Sequence, residues 1–235
     1  MSNTWFQFKQ FYIHHDRCAM KVGTDGVLLG AWAPLVDGSR ILDVGTGSGL
    51  IALMLAQRFP SSTLLGIDID GAAVSQAREN VAASPFADRV TIEEVALREL
   101  GAAPETFDAI VCNPPFFEES LLPPDAGRTA ARHTTSLPFA ELIQHTAYLL
   151  KTDGLFCVIL PTTAFDSFHL QCFAFGLSLA VRCDIQTSPG KAPKRTMACF
   201  MKTEESIARR DELLVLTEGG QRSAAYTALT RDFYL

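Results

Sequence analysis

The sequence predicts an α/β protein of the doubly wound kind, a mainly parallel sheet with helices on both faces. Three observations carry that prediction. Short apolar runs rich in β-branched residues recur at Arg40–Val44, Ser62–Asp68, Arg89–Val95 and Phe107–Cys112. Helical patterns with short connections alternate with them, the rhythm of parallel strands joined by crossover helices. Three polar residues, Asp43, Asp68 and Asn113, fall at or just after the carboxyl ends of three of these runs, where sheets of this kind gather their ligands.

In chain order, Phe6 to His15 alternates well enough for one strand, expected as an N-terminal extension laid on the main sheet. Thr24 precedes a short helical pattern carrying Val27, Leu28, Ala31 and Trp32. It has the chemistry of an N-cap, and equally that of a hydroxyl which, with neighbouring backbone N–H groups, meets a ligand carboxylate at a helix start. Asp43-Val44-Gly45-Thr46-Gly47-Ser48-Gly49 then forms a tight glycine turn before the apolar helix Leu50–Ala56. Glycines there admit positive φ and let a ligand come close to the backbone. The spacing leaves Leu50 where a nicotinamide-cofactor loop needs glycine. Asp43 is an anion where a pyrophosphate loop prefers none, and it suits a cationic ligand. Asp68 ends the second strand, the place from which an acid reaches ribose hydroxyls. Asp70 is either a backup for that role or the N-cap of a helix from Ala72 to Ala82. Further on, Phe139–Leu150 reads as a helix, Gly154–Leu160 as a fifth strand, and Ser223–Tyr234 as a C-terminal helix packed on the N-terminal strand.

Asn113-Pro114-Pro115-Phe116 follows the fourth strand directly. Each proline fixes φ and pushes the residue before it into extended geometry, which holds the Asn113 amide beside carbonyls that cannot turn freely. Phe116 adds a flat apolar face. A planar amine-bearing group stacked there would donate its N–H bonds to the Asn113 oxygen and a proline carbonyl. Alone, the same four residues serve equally as a plain Pro-Pro turn.

Composition narrows the class. The 235 residues, 48% hydrophobic and 20% charged, suit one domain with a substantial core. We read it as a single domain over 1–235, an N-terminal extension (1–34) and a core (35–235). No apolar run is long enough to cross a bilayer, and no signal peptide shows. Six scattered cysteines without a C-x-x-C pair suit a reducing cytoplasm. The net charge of −6 argues against nucleic-acid binding over the whole surface and leaves room for a local basic patch. Lys191, Lys194 and Arg195, in the loop Ser188–Arg195 between two apolar strands, are such a patch. It is either a solvated hairpin tip or a phosphate contact. Arg128, Arg132 and His133 lie in a polar stretch long enough to form a loop over the site.

Asp43–Gly49, the acid Asp68 and Asn113–Phe116 together resemble the class I S-adenosylmethionine methyltransferases that act on exocyclic nitrogens. The preface Cys18–Trp32 and the ending Ala225–Leu235 make the chain similar, over nearly its whole length, to the bacterial tRNA1(Val) adenine-37 N6-methyltransferase family. The resemblance implies a Rossmann-like sheet of seven strands and a cytoplasmic enzyme that needs no metal, with a monomer favoured and the oligomeric state left open. S-adenosylmethionine would be held by Thr24, Asp43, Gly45, Gly47, Gly49, Asp68 and Asn113, with catalysis at Asn113, Pro114, Pro115 and Phe116. The partner would be tRNA, met by Arg132, Lys191, Lys194 and Arg195. One departure stands out: the usual acid for the cofactor adenine is replaced by Ala96. Either Glu94 or a backbone group substitutes, or the adenine is held less tightly.

The implied reaction is methyl transfer to an adenine N6 amine, a weak nucleophile because its lone pair is delocalised into the ring. Hydrogen bonds to Asn113 Oδ1 and the Pro114 carbonyl would turn that lone pair toward the methyl carbon, and alignment supplies most of the acceleration. An anticodon-loop base is extruded at low cost, with Phe116 stacking on it. Three other readings remain. Another N6-adenine RNA methyltransferase would share the same core. A protein-glutamine methyltransferase shares the N-P-P element but usually carries a longer N-terminal domain. A nicotinamide-dependent oxidoreductase or non-catalytic nucleotide-binding module has both Leu50 and the N-P-P element against it.

Overall fold

The structure, a computed structural model, describes residues 3–115 and 137–235. The N-terminal residues form a hairpin, β1 (Trp5–Gln7) against β2 (Tyr12–His14), turned where Phe8 N donates to Phe11 O. This corrects the single strand expected over Phe6–His15: the hairpin is a sheet of its own, packed through Phe8, Phe11 and Ile13 into a core shared with the main sheet. The phenylalanines that mimic strand alternation stand on either side of the turn, Phe8 and Phe11 stacking at 4.8 Å.

The main succession is α1 (Thr24–Trp32), β3 (Arg40–Val44), α2 (Leu50–Arg58), β4 (Thr63–Asp68), α3 (Gly71–Ala82), β5 (Val90–Glu94) and β6 (Phe107–Cys112). It continues through α4 (Phe139–Leu149), β7 (Leu150–Pro161), α5 (Thr162–Ala174), β8 (Leu177–Gln186), β9 (Arg195–Lys202) and β10 (Arg210–Val215). A small hairpin, β11 (Thr217–Glu218) with β12 (Gln221–Arg222), and α6 (Ala224–Thr230) complete the described chain. Eight strands form one sheet in the order β10-β8-β9-β7-β6-β3-β4-β5. Neighbours from β5 to β7 run parallel, while β9 is antiparallel to both β7 and β8. The seven strands expected are therefore joined by an eighth, β10, parallel to β8 at the edge. Its polar first half, Arg210-Asp211-Glu212, hides it from a hydrophobicity reading.

Alternation along the strands feeds two cores. Ile41, Val111, Cys157 and Ile159 face α1, α2, α3 and the hairpin residues Phe8, Phe11 and Ile13. Leu42, Val44, Ile110 and Phe156 face Leu142 and Ile143 of α4 and Phe165 and Phe168 of α5. Helix α2 is buried from Leu50 through Ala56, as a helix enclosed on every side must be. The C-terminal helix ends at Thr230, capped at its start by Ser223. It is the tail beyond the helix that reaches the N-terminal hairpin: Lys9 N donates to Phe233 O at 2.8 Å and Tyr234 stacks on Phe8.

Helix α1 crosses α2 on a glycine. A β-carbon at position 30 would lie 2.9 Å from both Met54 Cβ and Met54 Sδ, and Met54 is fully buried. Gly30→Val is expected to lower the unfolding free energy by about 2 kcal/mol or more, read as a lower urea midpoint at unchanged slope. An unchanged midpoint would mean that the two helices part freely.

Candidate active site

Chain order along the sheet reverses between β3 and β6, and a cleft of about 590 Å³ opens at the carboxyl ends of the strands there. Its walls are the glycine turn at Val44, Gly45 and Gly47, the end of β4 with Ile69 and Asp70, the segment Val95–Arg98 after β5, and Asn113 with Pro115 after β6. Cys18, Ala19 and Met20 close another side.

The turn is laced to its neighbour strand. Gly45 N and Thr46 N both donate to Ile67 O, at 2.9 and 3.0 Å. Gly45 (φ +70) and Gly47 (φ +54) leave the backbone bare, since a β-carbon at either would meet nothing within 4 Å. Gly49 is different: it packs against Ala77 and starts α2 in left-handed geometry. Beneath the turn lies Asp43, with no exposed surface. Its Oδ2 accepts from Thr46 Oγ1 at 2.7 Å and Ala52 N at 3.2 Å, while its buried Oδ1 has no partner. Burial pushes this carboxyl up to about 7, against the two hydrogen bonds that pull it down.

Asp68 does two things from one position. Its Oδ2 accepts from Gly47 N at 2.9 Å and its Oδ1 from Asp70 N at 3.0 Å, and it still lines the cleft. Asp70 is the N-cap of α3, accepting from Ala72 N and Ala73 N, and it too borders the cleft. Ala96 sits in the wall. Glu94 is not among the residues lining the cleft, and its carboxylate lies against Gly71, 3.0 Å from where a β-carbon would stand.

Asn113 is half-buried at the switch point, with Pro114 buried behind it and Pro115 exposed on the cleft. A β-carbon at Gly26 of α1 would come within 4.0 Å of Asn113 Nδ2. The Cys112 thiol next to it is held well above its ordinary range, by burial first and by Asp43 and Asp68 second. The Cys18 thiol is pushed up to about 11 for similar reasons. Both remain protonated thiols near neutral pH and neither is an activated nucleophile. Phe116 and Arg132, with Arg128 and His133, lie outside the described residues.

Two expected residues stand elsewhere. Thr24 is the first residue of α1 instead of its cap, a place taken by Gly23. It is exposed and forms no part of the cleft wall. Arg195 opens β9 and donates from Nε to Asp25 Oδ2 at 2.8 Å, so it is already committed to an ion pair. Lys191 and Lys194 are exposed on the turn before it. Thr162 N donates to Lys194 O, which ties that turn to the end of β7 and therefore to the cleft's edge of the sheet. Sequence reasoning misses the Cys18–Met20 wall, which has no apolar periodicity or ligand-like spacing to give it away.

These residues fit S-adenosylmethionine. An orphaned, buried carboxylate oxygen suits a cationic amine, the bare backbone of Gly45 and Gly47 suits close approach, and Asp68 suits ribose hydroxyls. The apolar Ile69, Val95 and Leu97 beside Ala96 suit a flat base.

Residues 23–164 match the family model of the methyltransferase small domain. The chain is 45% identical to the tRNA1(Val) (adenine(37)-N6)-methyltransferase of Bacteroides thetaiotaomicron, over 100% of this chain and 99% of that protein. It is 46% identical to the protein of that description in Phocaeicola vulgatus (100% and 99% covered) and 42% identical to that in Citrobacter koseri (98% and 94%). Among solved structures, a protein of Agrobacterium tumefaciens described as a predicted O-methyltransferase superposes with a TM-score of 0.71 at 17% identity, covering 89% of this chain and 96% of that one. A SAM-dependent methyltransferase of Aquifex aeolicus gives 0.53 at 16%, covering 71% and 84%. At those identities the likeness concerns the fold.

Asp43 has an ordinary value of 3.8 in the unfolded chain and titrates near 7 when folded. Between those values the unfolded chain releases this proton first, so the ionised carboxylate costs stability increasingly as pH rises, and fully above about 7. Asp43→Asn is therefore expected to raise the melting temperature at pH 8 by several degrees and by less at pH 5. A lower melting temperature at pH 8 would contradict the burial argument.

Proposed function

The chain belongs to the tRNA1(Val) (adenine(37)-N6)-methyltransferase family, and on that premise we propose that it methylates the N6 amine of adenine 37 in tRNA1(Val), in the cytoplasm, with S-adenosylmethionine as donor. The observation that carries this reading is Asn113, fixed by Pro114 and Pro115 at the switch point of the sheet, in the wall of a cleft with the unpaired Asp43 oxygen beneath its glycine turn.

When bound, S-adenosylmethionine supplies a methyl carbon made electrophilic by its sulfonium. The donor would be held by Gly45 and Gly47, whose bare backbone lets it lie close, and by Asp68 at its ribose, while Asp43 beneath the turn would supply the negative charge for its ammonium. Asn113 Oδ1 and the Pro114 carbonyl accept the two N6 hydrogens of the target base. That pairing orients the amine lone pair and discriminates an amine from a carbonyl, which has no hydrogen to donate. Alignment is the main contribution of these residues to rate. The methylated amine is acidic enough to lose its proton to water, so no strong base is required, and the protonated Cys112 thiol takes no part. Phe116 and Arg132 belong to the proposal by their place in the sequence, as a stacking face and a phosphate contact. Lys191 and Lys194, exposed on the cleft side of the sheet, meet tRNA phosphates.

The test is nucleoside mass spectrometry of unmodified tRNA1(Val) transcript after incubation with the protein and S-adenosylmethionine. N6-methyladenosine is expected, and is expected to vanish when position 37 is not adenine. Methyl transfer to a protein fraction alone would favour the glutamine methyltransferases. Asn113→Ala is expected to lower transfer by about 100-fold or more while leaving the cofactor dissociation constant within about threefold. Joint loss of both would remove the residue from this role. Lys191→Ala with Lys194→Ala is expected to weaken tRNA binding and reduce the slope of log affinity against log salt by about one per lost contact. An unchanged slope would take the loop off the RNA surface.

A further inference from the structure

The N-terminal arm is fastened to the rest of the molecule by two buried amide side chains on one face of α3. Asn80, 2% exposed, uses its whole amide. Its Oδ1 accepts from His14 N at 2.9 Å, and its Nδ2 donates to His14 O at 2.8 Å and to Ser48 O at 2.9 Å. Ser48 stands between Gly47 and Gly49, inside the glycine turn. One turn earlier Gln76, also 2% exposed, accepts at Oε1 from Arg17 N at 2.8 Å and donates from Nε2 to Asp16 Oδ1 at 3.2 Å. The residues that follow, Cys18, Ala19 and Met20, are the arm's side of the cofactor cleft. The far end of this loop is held as well: the buried His15 ring accepts from Val22 N through Nδ1 at 3.3 Å and pairs through Nε2 with Asn3 O at 3.0 Å.

We infer that Asn80, assisted by Gln76, is a positioning residue for the cofactor: it locks the arm's wall and the glycine turn into one unit, so that the cleft holds its ligand only while both are in register. The chemistry selects an amide. Two carbonyls and one N–H converge on position 80, and only a side chain with two donors and one acceptor on a short stem satisfies all three. An aspartate would set its charge against both carbonyls, and an apolar side chain would leave three backbone groups, the buried Ser48 carbonyl among them, without this partner. Neither Asn80 nor Gln76 lines the cleft, so each acts through the segments that it ties.

This inference rests on the S-adenosylmethionine reading for the identity of the ligand. Calorimetric titration of the full chain with S-adenosylmethionine, paired with amide hydrogen exchange of the unliganded protein, separates the two. For Asn80→Asp, the dissociation constant is expected to rise about tenfold and exchange to quicken in both 14–22 and 45–49, with turnover at saturating cofactor within about twofold of the parent. Gln76→Ala touches only the arm's side of the link. It is expected to raise the dissociation constant about threefold and to quicken exchange in 14–22 alone, and it decides the matter if Asn80→Asp does not fold. Dissociation constants equal to the parent's in the folded variants, with a lower melting temperature, would make the two amides stabilisers of the fold and overturn the inference. A parent that binds no S-adenosylmethionine would refute the methyltransferase reading, and exchange that stays uncoupled between 14–22 and 45–49 in Asn80→Asp would then refute the link itself.

Discussion

The architecture of the site depends on one carboxylate. Asp43, next to last in β3, has no access to solvent, and a single oxygen, Oδ2, gathers Thr46 Oγ1 and Ala52 N around it. Those two bonds bend the chain out of the strand, through the glycine turn and into the first turn of α2. The backbone that results is held from the other side by Ile67 O and Asp68 Oδ2, so β3 and β4 share one rim. Burying a charge at that point is unfavourable unless it is met by opposite charge or by donors. Half of the need is met from within the chain, and the remaining oxygen, Oδ1, is buried without a partner.

That arrangement explains why the central elements were legible and the periphery was not. Strands β3 and β6, in the middle of the sheet, are apolar runs because both faces are covered, and the polar residues at their carboxyl ends stand out against that background. Asp43, Asp68 and Asn113 are found together at one edge, as their positions at strand ends predict. Other residues take a meaning from neighbours that the sequence does not show. Arg195 looks like a free cation until Asp25, 170 positions away, is seen to hold it. Glu94 looks like a substitute for the missing acid at Ala96 until it is found folded against Gly71. Thr24 looks like a cap because threonine caps well, yet the extended residue before the helix is Gly23. For Arg195 and Glu94 a tertiary neighbour decides the outcome, and for Thr24 the residue beside it does.

The N-terminal arm illustrates the same lesson at larger scale. Its phenylalanines suggest one strand laid on the main sheet; they flank a turn instead, packed against one another and on Tyr234 as well as into the core. The arm contributes no strand to the sheet and one wall to the cleft. The cleft is thus made from two kinds of material: a rim built into the sheet by backbone lacing, and a wall held from outside by side-chain amides.

The eighth strand has a consequence for the molecule as a particle among others. Without β10, the outer strand of the sheet would be β8, ten residues long with every second side chain buried, a ready template for a strand of another molecule. β10 covers it with a shorter segment that opens on Arg210, Asp211 and Glu212. At the opposite edge β5 is also short and finishes on Glu93 and Glu94. Both margins of the sheet therefore present charge to solvent, which discourages edge-to-edge aggregation in a crowded cell.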